Sequence, residues 1–439
     1  MKGFIKWTII TVIVVILSFL MIKISFKYKT DLLSDDIRIR IEMKNCIKAE
    51  SFCRDENNNF YISYDDKIKV YNKDRGEKTI YTGNTNQISD IEYYDNCIYF
   101  IDGDALYKYD LNKNDKKEIL TGIPEEGRYL DRKLKINDNK IFLTIGAVTN
   151  SGIAEKSEEY DDNRIPYDKM PFKAALSGEN YGDVKTGAFM PYGNSSIKGQ
   201  EVEPYEIANA SIYSINLNDN KKELYSYGIR NVKGIDFNSS GEIVCAVEGM
   251  NNEGYRPVNN DSDYIYIVKK GIWYGWPDFS GGNPIDSDRF REKEGKNIKK
   301  VILNQPQNIV PSPYYEYYNL SSISSLAVDR EGFIGSKDSC IFCDTQEKMI
   351  KCLNNDLSIL NLVRLNNKSD IKKIISDDSA IYVLDSGNGY IFKIEGNYMK
   401  NYLKIPSLII VGTLFIVVLI IMLINNKNKK IENNLKKYM

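Results

Sequence analysis

Histidine is absent from all 439 residues. That removes imidazole as a general base, a metal ligand or a pH switch. Ser-His-Asp, Cys-His and histidine-ligated zinc chemistry are excluded with it. Excess charge of either sign is also lacking, with 59 basic against 60 acidic residues. This balance gives no electrostatic case for nucleic acid as a partner. Alanine is scarce while tyrosine reaches 32, a bias towards strands. The seven cysteines cannot all pair within one chain. Cys340 and Cys343 form a lone C-x-x-C to which Cys352 adds at most a third thiolate, so unpaired structural thiols are expected rather than a metal site.

Two long apolar runs stand at the ends. Residues 7–22 and 405–424 carry no charge, and the second is long enough to cross a bilayer core as a helix. A cleaved signal peptide is the alternative for the first run, but no A-x-A site follows it. Lys427, Lys429, Lys430, Lys436 and Lys437 follow the second run, and positive flanks stay in the cytoplasm. Lys2 and Lys6 agree, whereas Lys23, Lys27 and Lys29 argue the other way. The expectation is a two-pass protein in contact with membrane lipid: a tip and helix over 1–29, an extracytoplasmic domain over 30–400, a second helix over 401–424 and a basic tail over 425–439. Neither run contains an ionisable residue, which speaks against transport.

The middle repeats one theme, strand–turn–strand. Residues 60–64 and 67–71 flank Asp65-Asp66; residues 97–101 and 105–109 flank Asp102-Gly103-Asp104. Further strands are expected at 141–145, 243–247, 333–334, 381–385 and 389–394. Asp, Asn and Gly at the junctions supply the left-handed backbone of tight hairpins. Units recur every 40 to 70 residues, roughly the spacing of propeller blades, with no helical pattern between them. The fold expected is all-β, a six-bladed β-propeller flanked by two transmembrane helices; a pair of β-sandwiches is the alternative from pattern alone. Residues 149–210, rich in Gly, Pro, Asn and charge, are too long for an ordinary connection and read as a functional or disordered insertion.

Residues 228–237 read GIRNVKGIDF and residues 254–285 read GYRPVNNDSDYIYIVKKGIWYGWPDFSGGNPI. These stretches resemble the glucose/sorbosone dehydrogenase family, the soluble sugar dehydrogenases that depend on pyrroloquinoline quinone (PQQ). The family carries G-x-R-N-P-x-G-x-x-F, and one bacterial branch carries G-x-W-Y-G-W-P-D-F-x-G-G. Thr149-Asn150-Ser151-Gly152, residues 176–181 and residues 186–189 are similar to further blocks of that branch. The resemblance covers about residues 60–395 and implies six blades, PQQ as cofactor and calcium held largely by backbone oxygens. It also implies that Arg230 and Asn231 face the quinone, where a guanidinium stabilises the oxyanion formed on hydride arrival. Val232 departs from the family's proline.

The larger departure is the base. The family's histidine lies just before the strand corresponding to 140–145, where this chain reads Gly127-Arg128-Tyr129-Leu130-Asp131-Arg132. Asp131 is the one substitute at hand, a weak base at its ordinary pKa of about 3.9 unless buried. Trp273 and Trp276 are candidates to stack on a sugar or quinone ring, against the plainer reading that they pack a turn between blades. Arg256 and Asp263 are expected to pair and pin their loop. The acidic run 155–162 fits no calcium-loop spacing and reads as solvated surface. Three functions compete. The first is a diverged propeller binding a sugar, glycan or protein ligand; the second is a PQQ-dependent oxidoreductase for sugars or related alcohols with a substitute base; the third is a docking subunit of a membrane complex.

Overall fold

The computed structural model describes residues 31–396, apart from 73–75, 84–86, 158–159, 161–163, 292–294 and 378, with scattered positions between 418 and 431. Residues 397–439 form a separate unit whose described positions, such as Val418, Met422 and Lys427, are helical. Among the described residues no helix is long and apolar enough to cross a membrane. The span expected at 7–22 lies outside the described residues, as does that at 405–424 save Val418 and Met422.

Residues 31–396 build six antiparallel blades. Blade 1 runs from Ser51–Arg54 outward to Gly76–Thr82, and blade 2 from Ile88–Tyr94 to Asp115–Leu120. Blade 3 starts at Tyr129–Asn137 and Lys140–Ala147, then resumes at Ser211–Asn216 and Lys222–Tyr227 after the long insertion. Blade 4 comprises Val232–Phe237, Ile243–Val247, Asp263–Val268 and Tyr315–Tyr317; blade 5 runs from Ile323–Asp329 to Ile359–Arg364, with Asp31–Leu32 added at its outer edge. Blade 6 takes Ile371–Ser376, Ile381–Asp385 and Tyr390–Gly396 from the end of the chain, and its outer strand, Ile37–Lys44, from the start. Each innermost strand packs against the next, and that of blade 6 returns to blade 1. Ring closure by the early strand leaves no unpaired blade to compensate.

The hairpin chemistry holds locally. Asp95-Asn96 and Asp138-Asn139 both take positive φ, the geometry of a two-residue hairpin turn. One expected strand is absent: 333–334 lie in a turn, and the strand falls at Ser339–Asp344. The reason is Asp329, whose carboxylate accepts N–H bonds from Gly332, Phe333, Ile334 and Gly335 and holds that segment curled. All seven cysteines are free and buried.

Polar groups tie the blades together. Asp90 of blade 2 accepts from the Leu134 N–H of blade 3 at 2.8 Å, and Asp236 of blade 4 from the Val328 N–H of blade 5 at 2.9 Å. Across the axis, Lys373 of blade 6 reaches Asp90 at 2.8 Å and Glu92 at 2.9 Å. With these groups filling it, the mid-channel hollow lined by Asp90, Lys133 and Lys373 holds only about 20 Å³.

The insertion is packed rather than loose. Met170, Leu176, Ala188 and Phe189 from it meet Trp273, Trp276, Phe290 and Ile302 in one apolar cluster. Arg256 lies inside this assembly and pairs with Asp278 at 2.8 Å, not with Asp263. Asp263 is taken by blade 5 instead, accepting from the N–H groups of Ser321, Ser322 and Ile323. With the Gly249 N–H, four convergent backbone donors satisfy its oxygens, so no cation is needed there.

Candidate functional site

The upper face is the end of the ring at which the innermost strands begin. Arg230 and Asn231 sit there, one step ahead of Val232–Phe237. Both are buried, at 3% and 1% exposure. Arg230 donates from Nε to the Asn150 carbonyl and from Nη2 to Asn150 Oδ1, each at 3.1 Å. Its Nη1 lies 3.4 Å from both the carbonyl and Oε2 of Glu248. The remaining face is covered by the ring of Tyr129, 4.0 Å from the guanidinium carbon. Asn231 Nδ2 donates to Asp131 Oδ2 at 2.8 Å and Glu248 Oε2 at 3.0 Å, and its Oδ1 accepts from the Asp131 N–H. This approach requires Gly146, since a Cβ there would lie 2.4 Å from Asn231 Oδ1.

Tyr129 is latched in turn. Its hydroxyl donates to Glu253 Oε1 at 2.5 Å, and Arg128 Nη2 reaches Glu253 Oε2 at 3.0 Å. Burial pushes the Tyr129 hydroxyl up to about 12, so it remains a donor at neutral pH. Asn150 joins the layers. Its amide donates to the carbonyls of Asn251 and Glu253, and its own carbonyl accepts from Trp276 Nε1 at 3.1 Å. Nearby, burial drives the Asp168 carboxyl up to about 6, although Val148, Thr149 N–H and Thr149 Oγ1 all donate to it.

Asp131 adjoins this constellation. Burial alone would raise its carboxyl, but Lys233, at 2.6 Å, and Lys133 together with the Asn231 bond draw it down to about 2. A carboxylate held so low is ionised at neutral pH and is a feeble proton acceptor. Trp273 and Trp276 line no open cleft: they are 0% and 2% exposed, Trp273 against Phe172 and Phe279 and Trp276 against Phe189. Gly228, at φ +70°, lets the chain pass Trp273, because a Cβ there would fall 2.3 Å from the indole. Glu248, Glu253 and Tyr129 were not singled out from sequence. Glu248 carried a signal, an acid ending the apolar run 243–247.

Residues 209–336 match the family model described as Glucose / Sorbosone dehydrogenase. That segment contains Arg230, Asn231 and both tryptophans. The structure is similar to soluble aldose sugar dehydrogenase from Escherichia coli in its apo form, with TM-score 0.53 and 13% identity, over 82% of this chain and 99% of that one. It is similar also to the holo PQQ domain of pyranose dehydrogenase from Coprinopsis cinerea, with TM-score 0.54 and 13% identity, over 84% and 97%. The fold is a glucose/sorbosone dehydrogenase-like β-propeller. An uncharacterised protein of Borreliella burgdorferi is 24% identical over 304 residues, 64% of this chain. The match spans 65% of that relative's own length.

Proposed function

We propose that this propeller binds a ligand without oxidising it, and that its upper face takes a sugar or glycan. The observation that carries the reading is the state of Arg230. Its donors go to Asn150 and Glu248, and Tyr129 occupies its free face. The residues present do not fit PQQ, a planar tricarboxylate. The recess beside Tyr129 and Asn150 holds about 60 Å³, against roughly 300–1,000 Å³ for ligand pockets. The cations nearby are already taken by acids of this chain, Arg230 by Glu248, Arg128 by Glu253 and Lys233 by Asp131, which leaves none of them free for the cofactor's carboxylates. Retention of Arg230 and Asn231 favours a second reading, a PQQ-dependent oxidoreductase with a substitute base. Against it stands Asp131, the only substitute from the sequence, drawn down to about 2 by Lys233 and Lys133 despite burial.

The sugar assignment rests on a neighbouring upper-face hollow of about 450 Å³, lined by Glu125, Glu126, Tyr167, Lys169 and Asn209 among others. The carboxylates and the ammonium offer acceptors and donors to hydroxyls, and Tyr167 adds an aromatic edge, while the buried Asn209 amide is held by the Lys169 N–H and the Gly146 carbonyl. Calorimetry of the full-length protein against mono- and oligosaccharides is expected to give a saturable isotherm that Glu125→Gln or Tyr167→Ala weakens at least tenfold. Isotherms unchanged in both variants would remove the hollow as the site.

We place the domain on the outer face of a membrane, held by the apolar runs 7–22 and 405–424, on the lysines that follow the second. Protease added to intact cells is expected to digest 31–396. Survival of the domain while other surface proteins are cut would overturn this placement.

A further inference from the structure

The two ends of the propeller lie on neighbouring blades. Asp31 pairs with Arg364 at the upper end of blade 5's outer edge, and Gly396 pairs with Ile37 at the basal end of blade 6's outer edge. Both ends therefore share one stretch of rim. Residues 23–30 separate the first from the apolar run 7–22, and residues 397–404 separate the second from the run 405–424. Eight residues, the length of each link, reach at most about 26–29 Å. The outer strand Ile359–Arg364 has six residues, a span of about 20 Å. The two ends thus differ in height by most of one link. Seating the ring on either face against a membrane would draw one link nearly taut along a blade, whereas seating it on this rim leaves slack in both.

The same rim carries a strip of leucines. Leu357 and Leu360, 47% and 46% exposed, then Leu33 and Leu32, 41% and 37%, follow one another up the outer edge of blade 5, where Leu33 N–H donates to the Leu362 carbonyl and Leu32 pairs with Val363. Among the described residues, the outer strands of the other five blades expose no large apolar side chain. Edge strands that face water are ordinarily kept polar, and a concentrated apolar strip marks a surface that meets something else. Charge does not select the partner, since Asp31, Asp35 and Asp36 are interspersed with Arg38, Arg40 and Arg364.

We infer that this strip lies on the lipid surface, so that the ring stands on edge with blades 5 and 6 down and blades 2 and 3 outermost. The inference rests on the membrane placement proposed above. It turns the upper-face hollow along the membrane rather than away from it. The leucines carry the contact, so neutral lipid suffices.

The test is energy transfer in the full-length protein, reconstituted at low density in phosphatidylcholine vesicles with acceptor dye on the lipid headgroups. Donor dye is placed singly at Asn361→Cys on the strip, Lys117→Cys on blade 2, Lys198→Cys at the upper end and Ser240→Cys at the basal end. All four positions are exposed, and the seven native thiols are buried. Transfer is expected to be at least twofold higher from position 361 than from 117, with 198 and 240 between them. Leu33→Ser with Leu360→Ser, both at exposed positions and checked for folding by circular dichroism, should shrink that difference. Highest transfer from 198 or 240 would seat the ring on a face, and equal transfer from all four would leave it loose on its links. A pattern unchanged in the leucine variant would leave the strip without a role, and one seen only at high protein density would put a second copy on it. Each of these overturns the inference. Release of the protein from vesicles by alkaline carbonate would instead remove the membrane placement itself, and the inference with it.

Discussion

Replacing Arg256 with leucine is expected to destabilise the domain by about 3–5 kcal/mol, the usual consequence of stranding one member of a buried ion pair. Arg256 is 1% exposed and Asp278 fully buried. The guanidinium donates to the carbonyls of Ser151, Pro277 and Lys299 as well as to Asp278. It thereby fastens the insertion to the tryptophan loop and to the segment at 299. In the variant, Asp278 keeps its bonds from the Val301 and Ile302 N–H groups but loses its only charge partner among the described residues, and three carbonyls lose their donor. Urea denaturation followed by tryptophan emission reports this directly, because Trp273 and Trp276 share the cluster the pair supports. Arg256→Leu combined with Asp278→Asn should recover part of the loss, since the stranded charge goes with the second change. A loss below about 1 kcal/mol, typical of an exposed pair, would mean that the arginine is solvated and that the insertion is held by other contacts.

Tyr129→Ala is expected to raise the reactivity of Arg230 towards phenylglyoxal by at least tenfold, read by peptide mass spectrometry. At 3% exposure, with one face against the Tyr129 ring, the guanidinium is shielded in the native protein. Tyr129→Phe keeps the ring and removes only the bond to Glu253, so it should fall between the two. Arg38, whose side chain is 57% exposed and far from this cluster, serves as the reactive control in all three proteins. If Arg230 stays protected in the alanine variant, Asn150 and Glu248 alone seal it and the tyrosine is incidental.

Much of the fold was legible because its signals are local. Alternation, turn residues and unit length place five of the six second strands at their positions in blades 1, 2, 3, 4 and 6. The exception at 333–334 came from a side chain competing with the ladder: Asp329 gathers four N–H groups, and no strand pattern discloses that in advance. The site was less legible. Arg230 and Asn231 stand in a recognisable motif, but whether a guanidinium meets a ligand or its own neighbours is decided by residues far away in sequence. Asn150 lies 80 positions from Arg230, and Tyr129 touches it from another blade. The same distance problem misassigned Arg256. Asp263 is nearer in sequence, but its oxygens face the backbone N–H groups at the start of blade 5, and the buried carboxylate within reach of the guanidinium is Asp278. The tryptophans illustrate the converse, since an aromatic cluster that suits stacking on a ligand suits an apolar core equally well.

The central claim is that the Arg230 site is closed to the quinone its surroundings resemble. The measurement that tests it most directly is calorimetric titration of the full-length protein with PQQ, with and without calcium. The account predicts no saturable heat up to high-micromolar PQQ under either condition, and no reduction of a dye acceptor when aldose is added. Saturable, calcium-dependent binding that Arg230→Ala weakens, with dye reduction on adding sugar, would contradict it and restore the oxidoreductase reading.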